Sequence, residues 1–216
     1  MFEARKEVAA GNFHTLTTRG LAAAAGVSQP TLYNLIGTKE DIMKALVKES
    51  FDRIFERIKS ISTDSALEAI EAVVLGSVAL YAEDETYYRA GGIASDQLLG
   101  PIAANAEDKD VNKNNLAAQA VGMAKAAVEN AIKKGLLLGR LTSAELAEQM
   151  YIAYRGIHRD WAYGLISIDT FRLRAMRSFY VTLAVDATPD FRNQIEQKLF
   201  ALVPENLGKS FQKEQL

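Results

Sequence analysis

The stretch from Leu16 to Lys39, LTTRGLAAAAGVSQPTLYNLIGTK, decides how the chain is read. Thr17 is a helix-capping residue type, so a short helix starts at Thr18 and turns Leu21, Ala24 and Ala25 inward. Gly26 ends it, because the sharp turn that follows needs a positive φ that glycine adopts without steric cost. Ser28 caps the next helix, its hydroxyl placed to accept the Thr31 amide. Pro30 sits in the first turn, where a missing N–H does no harm. Leu32, Leu35 and Ile36 follow at i, i+3 and i+4 and read as a core face. Gln29, Thr31, Tyr33 and Asn34 are left outward, where they can hydrogen-bond and stack. Ala22 is small enough to let two helices crossing at about 90–120° approach closely. Cap, turn, spacing and crossing agree on a helix-turn-helix rather than an ordinary helical hairpin.

Working outward, residues 2–10 read as a first helix stopped by Gly11, with Phe13 and Leu16 docking the connection. Thr38 caps a helix running to about Ser60, with Ile42, Leu46, Phe51, Ile54, Phe55 and Ile58 as its apolar side. Its length makes it a lever between the N-terminal unit and the rest. Ser65 and Glu68 form a capping box for a helix over 67–82, Glu83-Asp84-Glu85 is a polar break, and a helix over 87–99 is closed by Gly100-Pro101. Residues 106–115 read as a solvated loop, and 116–134 as an alanine-rich helix stopped by Gly135, offering Val121, Met123, Ala124, Val128 and Ile132 for packing. Thr142 and Glu145 form a second capping box opening a long helix to about Ile166, and Asp169 is expected to cap another to about Val185. These two hold Leu146, Met150, Ile157, Phe171, Phe179, Tyr180 and Leu183, more apolar surface than one bundle face needs, which marks them as dimer elements. Thr188-Pro189 opens a final amphipathic helix with Phe191, Ile195 and Leu199, ended by Pro204 before a polar tail. No strand pattern is present. The expected fold is all-α, with a helix-turn-helix domain at 1–50 and a larger helical domain at 51–216.

With 216 residues, 49% of them hydrophobic, the chain can bury a substantial core. It has no cysteine, which excludes disulfides and thiolate metal sites. No signal-like N-terminus is present, and no apolar run approaches the roughly 18 residues that span a bilayer, so a cytoplasmic protein without a membrane partner is expected. The net charge of −2 is unevenly spread: up to Lys39, Arg5, Lys6, Arg19 and Lys39 outweigh Glu3 and Glu7 by two. A mildly basic head on an acidic body suits a site-specific rather than an indiscriminate nucleic-acid binder. The only histidines are His14 and His158. There is no Gly-x-Ser-x-Gly elbow, phosphate-binding glycine loop or His-Glu-x-x-His helix, so neither catalytic residues nor a metal or cofactor are expected.

Ala25-Gly26-Val27-Ser28, Leu32-Tyr33 and Lys39-Glu40 together resemble the DNA-binding domain of the TetR family of bacterial regulators. The detailed likeness covers about the first fifty residues, and beyond them it is one of helix order and length. It implies a double-stranded DNA operator, with Arg19, Gln29 and Thr31 toward base edges, Pro30 against a thymine methyl, and Thr18, Tyr33 and Lys39 toward phosphates. Ser28 and Asn34 complete the expected contact set. Arginine pairs with guanine and glutamine with adenine bidentately, each good pair giving about 1–3 kcal/mol of discrimination. Two departures stand out: Leu35 where a polar or aromatic residue is usual, and Ile36 in place of phenylalanine. The first helix is also short for the family, so it reads as reduced or as lacking a preceding segment.

One recognition helix reads too few base pairs, so a twofold homodimer spanning half-sites roughly 34–36 Å apart is expected. The resemblance implies that the last two long helices pair with their mates as a four-helix bundle. It also implies a repressor released by a small-molecule effector, whose coupling to DNA would be about 1–3 kcal/mol. Tyr151, Tyr154, His158 and Trp161 share one helix face as candidate ligand residues, with Tyr81, Tyr87, Tyr88, Phe55 and Met123 closing the site from other helices. Aromatics at this spacing equally suit plain core. The alternative to a regulator is a helical interaction protein whose head no longer reads DNA.

Overall fold

The structure is a computed structural model that describes all residues except 1, 11, 13, 14, 61–64, 100–115 and 203–216. The readings made for Phe13, His14, Gly100-Pro101, the loop at 106–115, Pro204 and the tail lie outside the described residues.

Three helices form the head: α1 (Phe2–Ala9), α2 (Thr18–Ala24) and α3 (Gln29–Ile36). Thr17 caps α2 by accepting the Gly20 N–H at 3.0 Å. The helix ends in a six-to-one turn in which Val27 N–H reaches Ala22 O at 2.9 Å and Gly26 N–H reaches Ala23 O at 3.1 Å. That turn places Gly26 at φ 67°, the left-handed conformation expected of it. Ser28 Oγ accepts the Thr31 N–H at 3.2 Å and starts α3. The inward residues of α2 are Leu21 and Ala22, whereas Ala24 and Ala25 are exposed. Both had been expected inward. This short helix packs chiefly on α3 and α1, and one turn of apolar face suffices for that.

Leu35 is a sharper correction. Of the three residues assigned to the core face of α3, Leu32 is buried and Ile36 partly so, but Leu35 is 73% exposed. At 100° per residue Leu32 and Ile36 point within about 40° of each other, and Leu35 falls to the side of that direction.

The lever is α4 (Lys39–Ser60), capped by Thr38, whose N–H and hydroxyl both donate to Asp41 at 2.8 and 2.7 Å. These bonds hold the Asp41 carboxyl below its ordinary pKa. The body comprises α5 (Ala66–Glu83), α6 (Glu85–Leu99), α7 (Leu116–Lys133), α8 (Ser143–Ala162), α9 (Ile168–Ala184) and α10 (Pro189–Ala201). Both capping boxes form, at Ser65–Glu68 and Thr142–Glu145. Among the described residues the only β pairing is an isolated bridge between Leu137 and Ala187. Buried Asp186 braces it, accepting the backbone N–H groups of Gly139 (2.9 Å) and Arg140 (3.1 Å).

α8 stops at Ala162 rather than near Ile166. Gly164 N–H bonds Trp161 O and Leu165 N–H bonds Asp160 O, each at 2.9 Å, the same termination seen after α2. The cap of α9 is Ser167, not Asp169: its hydroxyl accepts the Thr170 N–H at 3.2 Å, and Asp169 sits in the first turn facing the helix dipole. Thr188 begins α10 without a side-chain cap, its hydroxyl donating instead to Leu136 O at 3.1 Å.

The apolar residues counted toward a dimer face on α8 and α9 belong to the protomer's own core. Leu146, Met150, Phe171, Phe179, Tyr180 and Leu183 are all buried, because α8 and α9 pack on each other and α9 packs on α5 and α10.

Candidate nucleic-acid interface and ligand site

On the head, α3 turns its polar residues out. Arg19, Ser28, Gln29, Pro30, Thr31, Tyr33 and Asn34 are exposed, and Thr18 and Lys39 are half-buried. Gln29 and Tyr33 lie one turn apart on one flank of α3, and Thr31 and Leu35 one turn apart on the other. The face is also held in shape. Gln29 Nε2 donates to Thr18 Oγ1 at 3.3 Å across the turn, tying the start of α3 to α2. The Ser28 and Thr31 hydroxyls lie 2.7 Å apart, so the cap orients Thr31 as well as starting the helix. The sequence-predicted contact residues are therefore gathered on one side of the head.

A seam joining head to body was not legible in the sequence. α1 packs on α6, and Ala4 and Val8 of α1 share one buried cluster with Tyr87, Tyr88, Trp161 and Phe171. Arg5 pairs with Glu49 of α4 and lies 5.0 Å over the Tyr87 ring, while the Tyr87 hydroxyl meets Ser50 Oγ at 3.1 Å. At the far end of the lever, Arg57 pairs with Glu83 of α5. α6 therefore packs on both α1 and α4.

Behind this seam lies the aromatic cluster. Tyr81 stacks on Trp161 at 4.6 Å, and Tyr88, Tyr154, His158 and Phe171 close around the pair at 5.3–6.1 Å. The Tyr81 and Tyr154 hydroxyls meet at 3.3 Å. Of the nine candidate ligand residues, Tyr81, Tyr88, Tyr154, His158 and Trp161 are therefore brought together, and Tyr87 meets Tyr88 edge-on at 5.0 Å. Half-buried Tyr151 and Met123 form no ring contact with this cluster, nor does Phe55, which pairs with Phe51. Phe171, one of the apolar residues that mark α8 and α9 as dimer elements in the sequence, is a further member of the cluster. It enters from the first turn of α9, and no local pattern separates that role from any other buried phenylalanine.

The cluster is electrically quiet. Burial pushes the Tyr81 and Tyr154 hydroxyls up from their ordinary pKa and pushes His158 down to about 4, although Asp96 opposes the latter shift. All three are neutral near pH 7. Asp96 in turn pairs with Arg155 and Arg159 at 3.3 Å each. Arg89 lies 4.9 Å over the Trp161 ring and donates to the Trp161 carbonyl. Among the described residues, Trp161 Nε1 and the Tyr88 hydroxyl are buried side-chain polar atoms without a geometrically complete hydrogen bond. Burial raises the Tyr88 pKa, and nearby Arg53 tempers that rise. Such unmet groups cost about 1–3 kcal/mol each. Among the described residues no metal-ligating group of three or more side chains assembles, and no helix is long and apolar enough to cross a membrane.

Residues 3–46 match the family model described as bacterial regulatory proteins, tetR family. Two solved structures share the fold of nearly the whole chain. A TetR-family protein from Rhodococcus sp. is 19% identical, with 85% of this chain and 100% of that one covered at a TM-score of 0.59. A TetR-family transcriptional regulator from Marinobacter aquaeolei VT8 is 13% identical, with 93% and 98% covered at 0.55. Comparison with curated proteins gives no match. The head therefore matches the DNA-binding domain of the TetR family of bacterial regulatory proteins, and the whole chain, an all-α helix-turn-helix head on a helical body, shares the fold of two TetR-family structures.

Proposed function

We propose that the chain binds a palindromic operator as a homodimer and represses transcription in the cytoplasm until a small-molecule effector releases it. It acts by binding, without catalysis. Residues 1–50 are the reading unit and 51–216 the sensing and pairing unit. The observation that carries the proposal is the α3 surface, where Gln29, Pro30, Thr31, Tyr33 and Asn34 are exposed around a single buried residue, Leu32. Arg19, Gln29 and Thr31 read base edges, Pro30 covers a thymine methyl, and Thr18, Ser28, Tyr33, Asn34 and Lys39 hold phosphates and fix register.

Dimerisation uses surface that the protomer leaves uncovered. Ile152, Gly156 and Tyr163 fall on one face of α8 and its end, and Val181 and Val185 on one face of α9 and its C-cap. Exposed Gly156 lets a partner helix approach closely. The effector enters the aromatic cluster as an uncharged, flat molecule carrying a hydrogen-bond acceptor for Trp161 Nε1. Neutral His158 and tyrosines offer no charge to an ion, and an acceptor there removes an unmet donor. Binding there would act on α6, and so on α1 and α4 together.

The test is selection of bound DNA from a random library by the full-length protein, followed by affinity at two salt concentrations for wild type, Gln29→Ala and Tyr33→Phe. Saturable binding that falls steeply with salt and weakens in both variants is expected. Binding without sequence preference, or association insensitive to salt, would overturn the proposal and favour a helical interaction protein instead.

A further inference from the structure

The exposed leucine of the recognition helix is unexplained by anything said so far. Leu35 is 73% exposed on a face that, apart from Pro30, is polar, while its neighbour Ile36 turns to the head's core. It follows Thr31 by one helical turn on the same flank. A leucine on a surface laid into the major groove cannot hydrogen-bond a phosphate or a base edge. The only apolar group that a B-DNA base pair presents in that groove is the 5-methyl of thymine. Tyr33, 58% exposed, occupies the opposite flank and carries a hydroxyl for phosphate, so the two large exposed residues divide the helix into a polar and an apolar side.

We infer that Leu35 is a specificity-determining residue that packs on a thymine methyl at the outer side of the base pairs met by Thr31, and so requires thymine there in each half-site. The inference rests on the proposed reading of DNA by α3. Covering one methyl-sized group contributes a factor of about three to four per half-site, and about tenfold when both half-sites are changed.

The experiment uses the full-length protein and the DNA it selects. Each thymine of the operator is replaced in turn by deoxyuridine, which deletes the methyl and keeps the base pair. Wild type should lose about three- to fourfold at one symmetry-related thymine position, and Leu35→Ala should bind weaker overall yet lose nothing further at that position. Replacements opposite Pro30 serve as a control, because both proteins should respond to them alike. Leu35→Ala should leave thermal unfolding and dimer mass unchanged, since the side chain is exposed. A uniform loss in Leu35→Ala with the wild-type methyl profile intact would overturn the inference and assign Leu35 to the sugar backbone. A change in dimer mass would overturn it by assigning Leu35 to a protein contact. In both cases salt-dependent DNA binding persists and the proposed function stands. If no DNA is selected, both fall.

Discussion

Gly91 and Gly92 stand side by side inside α6, and the structure assigns them opposite responses to the same substitution. A Cβ at Gly92 would lie 2.8 Å from His158 Cε1 and 3.0 Å from Ala162 Cβ, whereas one at Gly91 meets nothing within 4 Å. Alanine in a helix interior is favoured over glycine by about 0.8–1.0 kcal/mol. Gly91→Ala should collect that gain and stabilise the protein by about 0.5–1 kcal/mol. Gly92→Ala gains the same propensity but must push α6 off α8 or displace the His158 ring, and such overpacking costs about 1–3 kcal/mol. The two variants should therefore differ by about 1–3 kcal/mol, with Gly91→Ala above wild type and Gly92→Ala at or below it. For a chain of this size each kcal/mol shifts the unfolding midpoint by about 2–4 °C. Thermal and urea unfolding of wild type, both single variants and the Gly92→Ala/His158→Ala pair would measure this. Removing the His158 ring relieves the shorter contact, so the double variant should recover at least about 0.5 kcal/mol relative to additivity. Equal stabilisation by both alanines would refute the close approach of α6 to α8.

Burial holds His158 near pH 4 in the folded protein against about 6.5 when unfolded, so the unfolded chain takes up the proton first. Stability contributed by the neutral ring should be present above about pH 6.5 and lost as pH falls toward 4. The full shift corresponds to about 3 kcal/mol, discounted to about 1–2 because the ring is only partly covered. Urea midpoints across that range, compared with His158→Phe, should show the slope in wild type and a shallower one in the variant. Asp186→Ala should strip the acceptor from the Gly139 and Arg140 amides and cost about 2–4 kcal/mol by urea unfolding, and a loss below 1 kcal/mol would mean the Leu137–Ala187 bridge is held by other bonds. Ile152→Glu and Val181→Glu should each shift the protein from dimer toward monomer in sedimentation velocity, with the monomer still folded, because both side chains are exposed on the protomer.

The sequence determined what depends on neighbours within about four residues. Thr17, Ser28, Thr38, Ser65 and Thr142 cap helices as read, because a cap is a hydrogen bond between a side chain and an amide two or three residues on. Gly26 closes α2 by the same locality. The end of α8 was legible in principle, since Gly164 carries the terminating turn, but the apolar run through Leu165 and Ile166 masked it. Periodicity also put Tyr154, His158 and Trp161 on the one helix face that enters the aromatic cluster. Only the tertiary structure decided which way an apolar residue faces when several partners compete for it. Leu35 has helical spacing suited to a core and is exposed, while Leu146, Phe171 and Leu183 suit a dimer face and are buried within the protomer. The Arg5–Tyr87–Ser50 seam, the contact of Gly92 with His158 and the lowered His158 pKa likewise join residues far apart in the chain. A hydrophobic pattern specifies that a side chain needs cover, whereas the packing of distant helices specifies what supplies it.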